Sequence, residues 1–347
     1  MPPVMKQRDD RNTSNAGIAV KHGPGILTIS LDFELYWGVR DKRTLAAYSQ
    51  NLAGVHQAIP QILALFDKHG IHATWATVGL LFCRDAHEAM TRYAPDTRPN
   101  YESANLSPYA YLQNGQNLDA KYHFAPELID LIASHAHQEI ATHTFSHYYC
   151  LEKGQTLEAF KADIEAAKVL ARERNLETSS IVFPRNQWNQ DYLSALNELG
   201  IKCYRGNERS WVYRAVENEE QSLLRRAGRL VDTYFNLCGH QTYPLIDQNP
   251  NMPYNFPSSR LLRAYKKKLA PLEGLRLRRI RKSMLHAAKN GEIFHLWWHP
   301  HNFGVDIREN MKFLAKVLQE FERLHSSYGM QSANMAELYR LKKSAYE

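Results

Sequence analysis

Two histidines four residues apart are the clearest chemical signal in the sequence. His143 and His147 lie in the stretch THTFSHYYC, directly after a short apolar segment. A separation of four residues brings both imidazoles to one face, whether the segment is extended or helical. Such pairs recur among metal ligands, although a chain with 16 histidines also contains them by chance. A metal site at this position would need a third ligand.

Two carboxylates near the beginning of the chain can supply that ligand. Asp32 and Glu34 end an apolar run in ISLDFELYWG, and residues i and i+2 of a strand share a face. Crowded carboxylates repel each other unless a cation neutralises one of them. Two histidines and one carboxylate would leave metal positions open for water, as in catalytic sites, and would free the second carboxylate to act as a base. The alternative is a salt bridge at the strand end to Arg40 or Lys42.

Two later motifs also place polar side chains after apolar segments. FPRNQW positions Arg185 where a guanidinium can orient a carboxylate through a bidentate contact. FHLWWHPHNFG places His295, Trp297, His299 and His301 at alternate positions, and a histidine there could protonate a leaving group. A buried ion pair and a core histidine are the ordinary alternatives. The clusters together favour an active site, because sites in parallel α/β folds lie at the carboxyl ends of strands.

The elements that must position these residues alternate along the chain. Strand-like segments such as ILTISL, EIATHT and SIVFPR are separated by amphipathic patterns of helical period. Helices are predicted to end at Gly70, to begin with Pro126 in a first turn, and to begin after Thr156 as the N-cap. Repeated strand–helix units imply a parallel sheet, either open or closed into a barrel.

Composition restricts the class of protein. The chain has 347 residues, of which 44% are hydrophobic and 23% charged, as in soluble globular proteins. No apolar run approaches the roughly 18 residues of a membrane span. Residues 1–24 lack the apolar core of a signal peptide, which predicts a disordered arm on a cytoplasmic protein. The four cysteines lack CxxC spacing, which predicts reduced thiols.

Two segments interrupt the alternation. Residues 93–125 are rich in Pro, Asn and Tyr and are predicted to form an ordered cap beside the site, with a structural plug as the alternative. Residues 260–289 hold eleven Lys or Arg residues and one acidic residue, so the remainder of the chain is slightly acidic and no nucleic-acid partner is expected. This basic segment is predicted to be helical. It is either a solvated face or a contact for phosphates or anionic lipid through Lys266, Lys267 and Lys268.

In content and order, these motifs resemble the polysaccharide deacetylases, also called carbohydrate esterase family four, over roughly Gly25 to Leu341. HTFSH is similar to the His-Ser/Thr-x-x-His metal motif of that family. SLDFE, FPRNQ and LWWHP stand where the family has its aspartate, arginine and late histidine motifs. The usual aspartate motif is Asp-Asp-Gly, whereas Phe33 separates the two carboxylates here, so which of them binds metal stays open.

The resemblance implies an α/β fold, a distorted (β/α)7 barrel in a single domain over residues 25–345, that hydrolyses the amide of N-acetylated sugars with one divalent metal, most simply zinc. It implies that Glu34, His143 and His147 bind the metal. It further implies that Asp32 is the general base, that Arg185 orients Asp32, and that His299 is the general acid, with His301 as the alternative acid. The side chains expected to contact the sugar are Trp37, Tyr109, Tyr111, Trp188, Trp297 and His301.

A cytoplasmic location would give the enzyme biosynthetic precursors as substrates. A nucleotide-linked or lipid-linked acylamino sugar of surface-polysaccharide synthesis, such as that of a lipopolysaccharide O-antigen, fits this location and the basic segment, which would also allow peripheral contact with an anionic membrane. Hydrolysis of a small cyclic amide or ureide, as by an allantoinase, is the second hypothesis. A catalytically silent sugar-binding module is the third, but such a module needs neither Asp32 nor His299.

Overall fold

The computed structural model describes residues 23–114, 118–213, 223–245 and 252–344. The strands are β1 (Ile26–Phe33), β2 (Ala73–Thr77), β3 (Gln138–Thr142), β4 (Ser180–Val182), β5 (Cys203–Arg205), β6 (Tyr243–Pro244), β7 (Tyr254–Asn255), β8 (Arg260–Leu261), β9 (Glu292–Trp298) and β10 (Gln331–Ser332). The helices are α1 (Leu45–His69), α2 (Ala86–Glu88), α3 (Pro108–Asn114), α4 (Ala120–His123), α5 (Pro126–Ser134), α6 (Leu157–Glu173), α7 (Gln190–Glu198), α8 (Leu223–Asp232), α9 (Glu273–Asn290), α10 (Ile307–Tyr328) and α11 (Met335–Ser344). Residues 1–22 of the predicted N-terminal arm lie outside the described ranges.

Seven strands follow one another around the barrel, each parallel to the next. The order β9–β1–β2–β3–β4–β5–β7 is parallel throughout, and β8 pairs with β9 on the other side. The chain between β7 and β8 crosses the gap, because Ser258 N–H donates to the Gly206 carbonyl (2.9 Å) and Ser259 N–H to the His295 carbonyl (2.8 Å). The predicted distorted (β/α)7 barrel is therefore confirmed.

The predicted helix boundaries follow local chemistry. The Thr44 hydroxyl accepts the Ala47 N–H at the beginning of α1, and Gly70 ends that helix with a φ of 60°. Thr156 caps α6 in the same way, and Pro126 occupies the first turn of α5, where its missing N–H costs nothing. All three boundaries predicted from the sequence are confirmed.

The segment over residues 93–125 is ordered in its described part and packs on loops that follow strands. It contains α3 and α4, and the Trp37 indole N–H donates to the His123 carbonyl at 2.6 Å. Tyr149 N–H donates to the Tyr101 hydroxyl at 2.9 Å. Trp37 follows β1 and Tyr149 follows β3, so the segment lies at the carboxyl end of the barrel.

The basic segment is not one helix. Arg260 and Leu261 form β8, a 3₁₀ turn spans Lys267–Leu272, and only Glu273–Asn290 is α-helical. The prediction of a helix over 260–289 is therefore wrong for residues 260–266, because residues 260–262 hydrogen-bond to β9 as a barrel strand and the 3₁₀ turn begins only at Lys267.

Two expectations from composition can be compared with the fold. Cys83, Cys150, Cys203 and Cys238 are all free, and the first three are buried, as the absence of CxxC spacing predicted. Within the described ranges, no helix combines the length and apolar character needed to cross a bilayer.

Candidate active site

The carboxyl ends of the strands surround a cavity of about 330 Å³. Its lining contains all six residues that the sequence analysis assigned to catalysis or metal binding, which are Asp32, Glu34, His143, His147, Arg185 and His299. These residues come from four separate strand ends, those of β1, β3, β4 and β9. The barrel thus brings together side chains that are up to 267 positions apart in the chain.

Glu34 and the histidine pair form a compact donor set. Glu34 Oε2 lies 3.4 Å from His143 Nε2 and 3.1 Å from His147 Nε2. His143 Nδ1–H donates to the Val182 carbonyl at 2.7 Å, and His147 Nδ1 lies 3.1 Å from the Tyr149 hydroxyl, which can accept its proton. Both Nε2 atoms therefore face Glu34. Two oriented imidazoles and one carboxylate fit a divalent cation.

The charges at this donor set suit metal ligation near neutral pH. Burial lowers the pKa of His147 to about 4, so its imidazole is neutral. Burial opposes ionisation of Glu34, but the adjacent His299 and the hydrogen-bonded His143 and His147 hold the pKa of Glu34 well below its usual range. The carboxylate is therefore charged and competes weakly for protons.

Gly38 leaves the space that the Glu34 carboxylate fills. A Cβ built on Gly38 would lie 1.9 Å from Glu34 Cδ and 2.0 Å from Oε1. Leu35, immediately after Glu34, has a φ of 45°, a conformation that a leucine adopts only when its surroundings impose it. The turn after β1 thus folds back so that the Glu34 carboxylate lies against the backbone of Gly38.

The loop that carries the histidine pair is held by Asp163 of α6. Thr144 and His147 have φ values of 64° and 59°, so the loop is neither strand nor helix. One Asp163 oxygen accepts Phe145 N–H (2.6 Å) and Ser146 N–H (3.2 Å), and the other accepts the Ser146 hydroxyl. Burial raises the pKa of Asp163 to about 6.

Arg205, and not Arg185, is the partner of Asp32. Arg205 Nη1 and Nη2 donate to Asp32 Oδ1 and Oδ2 at 2.7 and 2.8 Å. Burial opposes ionisation of Asp32, but the Arg205 guanidinium lowers the pKa of the carboxyl overall. Arg185 instead pairs with Asp41, and with Glu152 at 3.2 Å. The prediction for Arg185 is wrong because Arg185 lies in the left-handed turn after β4, whereas Arg205 faces the barrel interior from β5.

The two late histidines have different surroundings. His299 Nε2 lies 3.7 Å from Asp32 Oδ2 and 3.6 Å from Glu34 Oε1, and its side chain is 23% exposed. His301 is buried beside Tyr48 and is absent from the cavity lining. His301 Nδ1 has no hydrogen-bond partner in the part of the chain that is described, and burial lowers the pKa of His301 to about 3.

Of the aromatic residues expected to contact sugar, Trp297 alone lines this cavity. Trp37 and Tyr111 instead pack around His123, and Trp188 packs against Tyr204. Tyr109 is buried, with the Arg98 guanidinium 4.5 Å from the centre of its ring. No described residue of the segment over residues 93–125 lines the cavity, although the segment lies at the same end of the barrel, so its role as a cap stays a prediction. The sequence analysis missed four lining residues of the insertion between β5 and β8, which are Glu208, Tyr213, Arg229 and Thr233. It also missed the lining roles of Gly38, Asn186, Gln187, Arg260, Leu261 and Arg263.

A second group of potential ligands lies at the other end of the barrel. His72 and His137 precede β2 and β3, their rings stack 3.8 Å apart, and both lie within 4.0 Å of Glu337. Glu337 accepts Asn334 N–H at 3.0 Å while its own N–H donates to the Asn334 side chain at 2.9 Å. This reciprocal capping box accounts for the position of the Glu337 carboxylate, so no metal is needed to explain it.

Known proteins were compared with the chain by sequence and by structure. Residues 53–204, less than half of the chain, match the family model described as polysaccharide deacetylase. No curated protein sequence matches. A structure described as a polysaccharide deacetylase from Mycobacterium smegmatis superimposes with a TM-score of 0.57 at 12% identity, over 93% of this chain and 94% of that one.

Two further structures share the fold. One, described as a polysaccharide deacetylase from Pseudomonas aeruginosa PAO1, has a TM-score of 0.52 and 11% identity, over 91% of this chain and 89% of that one. PuuE allantoinase has a TM-score of 0.52 and 12% identity, over 96% and 97%. Residues 53–204 thus resemble a polysaccharide deacetylase domain, and the superpositions show that the chain shares the fold of these proteins.

Proposed function

We propose that the chain removes the N-acyl group, most simply N-acetyl, from an amino sugar. The observation that carries this proposal is the Glu34 carboxylate lying between two oriented imidazoles, with the Asp32–Arg205 ion pair and His299 in the same cavity. Glu34, His143 and His147 would hold one divalent metal, proposed to be zinc. When bound, the metal supplies Lewis-acid chemistry, lowering the pKa of a water ligand and polarising the amide carbonyl.

Asp32 is the proposed general base. Its ion pair with Arg205 keeps it ionised near neutral pH and fixes both carboxylate oxygens. The carboxylate accepts the proton of the attacking water as the carbon–oxygen bond forms. The bidentate contact prevents Asp32 from turning toward the metal ligands, so Glu34 is the carboxylate proposed to bind metal.

His299 is the proposed general acid. Tyr48 donates to Asn302 Oδ1 at 3.3 Å, which directs the Asn302 amide nitrogen at His299 Nδ1, also at 3.3 Å. Nε2 is therefore the ring nitrogen that faces Asp32 and Glu34. It protonates the departing amine, which is otherwise a very poor leaving group. His301 Nδ1 lies 3.8 Å from Glu34 Oε1, but His301 is less suited because it is buried, does not line the cavity and has a pKa that burial lowers to about 3.

An acylated precursor of surface-polysaccharide synthesis, such as that of an O-antigen, is the proposed substrate class, with the Trp297 ring available to the sugar. Hydrolysis of a small cyclic amide is the second candidate, and the barrel shared with PuuE allantoinase is compatible with it. A cytoplasmic location and contact with an anionic membrane stay predictions.

The test combines metal content with amine release. We expect the wild-type chain to bind one metal per molecule and to release amine from acylated sugars but not from allantoin. His143→Ala should lose most of the metal, whereas the matched control His137→Ala, from the second histidine group, should keep it. Asp32→Asn should keep the metal and lose about 10²–10⁴-fold in turnover. Full metal occupancy in His143→Ala, measured by elemental analysis, contradicts the ligand assignment, and loss of metal from Asp32→Asn would mean that the two carboxylates are exchanged.

A further inference from the structure

The active-site cavity is lined by arginines that do not contact its carboxylates Asp32 and Glu34. Three arginines of the segments between β5 and α9, Arg229, Arg260 and Arg263, line it, and we call them the arginine wall. None of the three contacts Asp32 or Glu34, whose partners are Arg205 and the histidines. The arginine wall is thus a positively charged part of the cavity that the hydrolytic chemistry does not use.

One buried aspartate lies behind the arginine wall. Asp232 pairs with Arg260 at 3.2 Å and with Arg279 at 3.5 Å. Its two oxygens also accept the N–H groups of Leu237 and Cys238 and the Tyr213 hydroxyl, all at 3.0 Å. Asp232 is therefore fully engaged and balances one of the nearby positive charges.

Glu208 is the other carboxyl group in this part of the cavity lining. It is buried and lies 3.4 Å from the Trp297 indole nitrogen. Burial raises the pKa of Glu208 above its ordinary value, which favours the neutral acid.

Arg260 has donors that the described residues do not use. Arg260 is 4% exposed, and its Nε and Nη2 have no acceptor in the described parts of the chain. Arg263 uses Nε to bond the Thr233 hydroxyl at 2.9 Å. Burial, together with the neighbouring arginines, lowers the pKa of Arg229. A buried guanidinium with unused donors, as in Arg260, costs stability unless an anion joins it.

We propose that the arginine wall binds a phosphate ester carried by the substrate next to its acylated sugar. This inference rests on the proposed function and narrows its substrate class. A phosphate fits better than a carboxylate, because it offers more acceptor oxygens and up to two charges, and planar guanidinium groups match it bidentately. The proposal assigns the phosphate contact to the arginine wall and not to Lys266, Lys267 and Lys268. These three lysines are exposed and do not line the cavity.

The experiment compares N-acetylglucosamine with N-acetylglucosamine 1-phosphate by calorimetry on the zinc-loaded chain. We expect the phosphorylated probe to bind at least tenfold tighter. Arg263→Gln and, separately, Arg229→Gln should each reduce the ratio of the two affinities about tenfold. This is the effect expected from the loss of one charge-assisted hydrogen bond. The combined Lys266→Gln, Lys267→Gln and Lys268→Gln variant is the matched control and should keep it. Arg260 is left intact because its loss would leave Asp232 buried without that partner.

Equal affinity for the two probes in the wild-type chain overturns the proposal. An unchanged phosphate preference in both folded arginine variants also overturns it, because the phosphate would then be binding the metal. UDP-N-acetylglucosamine and a farnesyl-diphosphate-linked N-acetylglucosamine distinguish a nucleotide carrier from a lipid carrier. Amine release from an unphosphorylated chito-oligosaccharide tests the deacetylase function separately, so an arginine-dependent phosphate preference without amide hydrolysis would reject that function and retain the subsite.

Discussion

At the scale of single residues, the environment of Asp32 determines what this carboxylate can do. Its oxygens are both bonded to Arg205, and Arg205 is itself completely buried, with its guanidinium 4.3 Å from the centre of the Trp297 ring. Serine and asparagine side chains, Ser30 and Asn186, accept further Arg205 donors at 2.9 and 3.0 Å. Arg205 is therefore the positioning residue of the proposed base.

Replacing Arg205 should change the pH dependence of turnover. Arg205→Lys keeps a charge but lacks the fork that fixes both oxygens, so the pKa of Asp32 should rise toward its ordinary value. Because the base must be ionised, the acid limb of the kcat/KM profile should move to higher pH. Arg185→Lys is the matched control, and its acid limb should stay in place because Arg185 does not contact Asp32. A shift in the Arg185 variant with none in the Arg205 variant would restore the original assignment.

Gly38 is the second position where a single residue controls the site. Gly38→Ala places a methyl group 1.9 Å from Glu34 Cδ, so the carboxylate must move away from the imidazoles. We expect metal affinity to fall by roughly 10–100-fold, as when the support of a ligand is removed. Titration with a metal indicator would measure it. Gly274→Ala, where a Cβ meets nothing within 4 Å, should leave metal affinity unchanged.

At the scale of elements, helix α6 determines the shape of the histidine loop. Asp163→Ala removes the acceptor of two buried N–H groups, and each unsatisfied group costs about 1–3 kcal/mol. Asp163→Asn keeps one oxygen for both N–H groups of Phe145 and Ser146 and should cost much less. Urea denaturation would measure both free energies of unfolding. Equal losses in the two variants would mean that the negative charge matters and the acceptor geometry does not.

At this scale, the two segments that interrupt the strand–helix alternation contribute differently to the cavity. The described part of residues 93–125 packs on the turns that follow β1 and β3, through Trp37 and Tyr149. The chain between β5 and α9, which includes the beginning of the basic segment, instead contributes the arginine wall and Tyr213 to the cavity. Proline and tyrosine content marked the first segment as ordered, but composition does not say toward which side of a barrel rim a loop folds.

At the scale of the whole molecule, the interior of the barrel disfavours protonation of a buried histidine, His295. His295 is fully buried, with Nε2 2.9 Å from the Ser30 hydroxyl and Nδ1 3.1 Å from the Phe256 carbonyl. Burial and the nearby Arg205 lower the pKa of His295 to about 3. The folded chain therefore keeps this imidazole neutral at pH values where the unfolded chain protonates it.

This difference predicts acid sensitivity with a definite sign. Below about pH 6.5 the unfolded chain gains a proton at His295 that the folded chain takes up only near pH 3, so the free energy of unfolding should fall as the pH falls. The slope from one such group is at most about 1.4 kcal/mol per pH unit. His295→Gln cannot titrate, so its stability should fall less steeply between pH 6.5 and 4.5 in denaturant titrations. Parallel pH dependences for the two proteins would contradict this account.

The sequence alone determined the features that local chemistry controls. Alternating periodicities predicted a parallel α/β sheet, and the resemblance of the motifs to a known family implied its closure into a barrel. The residues Thr156 and Gly70 predicted helix boundaries, and strand-end motifs predicted that Asp32, Glu34 and the histidine pair would meet. These inferences succeeded because side-chain direction in a parallel strand and the carboxyl-end location of sites follow from backbone geometry.

Only the tertiary structure determined the partners that come from across the barrel. Arg205 is the last residue of β5, in the segment IKCYRG, and a charged residue at the end of an apolar strand was a signal in the sequence. No local pattern, however, links Arg205 to Asp32, which lies 173 positions earlier. Residues 254–261 bond to β5 on one side and to β9 on the other, and this closure of the ring places Arg260 in the cavity wall. Contacts between strands far apart in sequence depend on how the sheet curls, and that curvature is a property of the packed barrel rather than of any one segment.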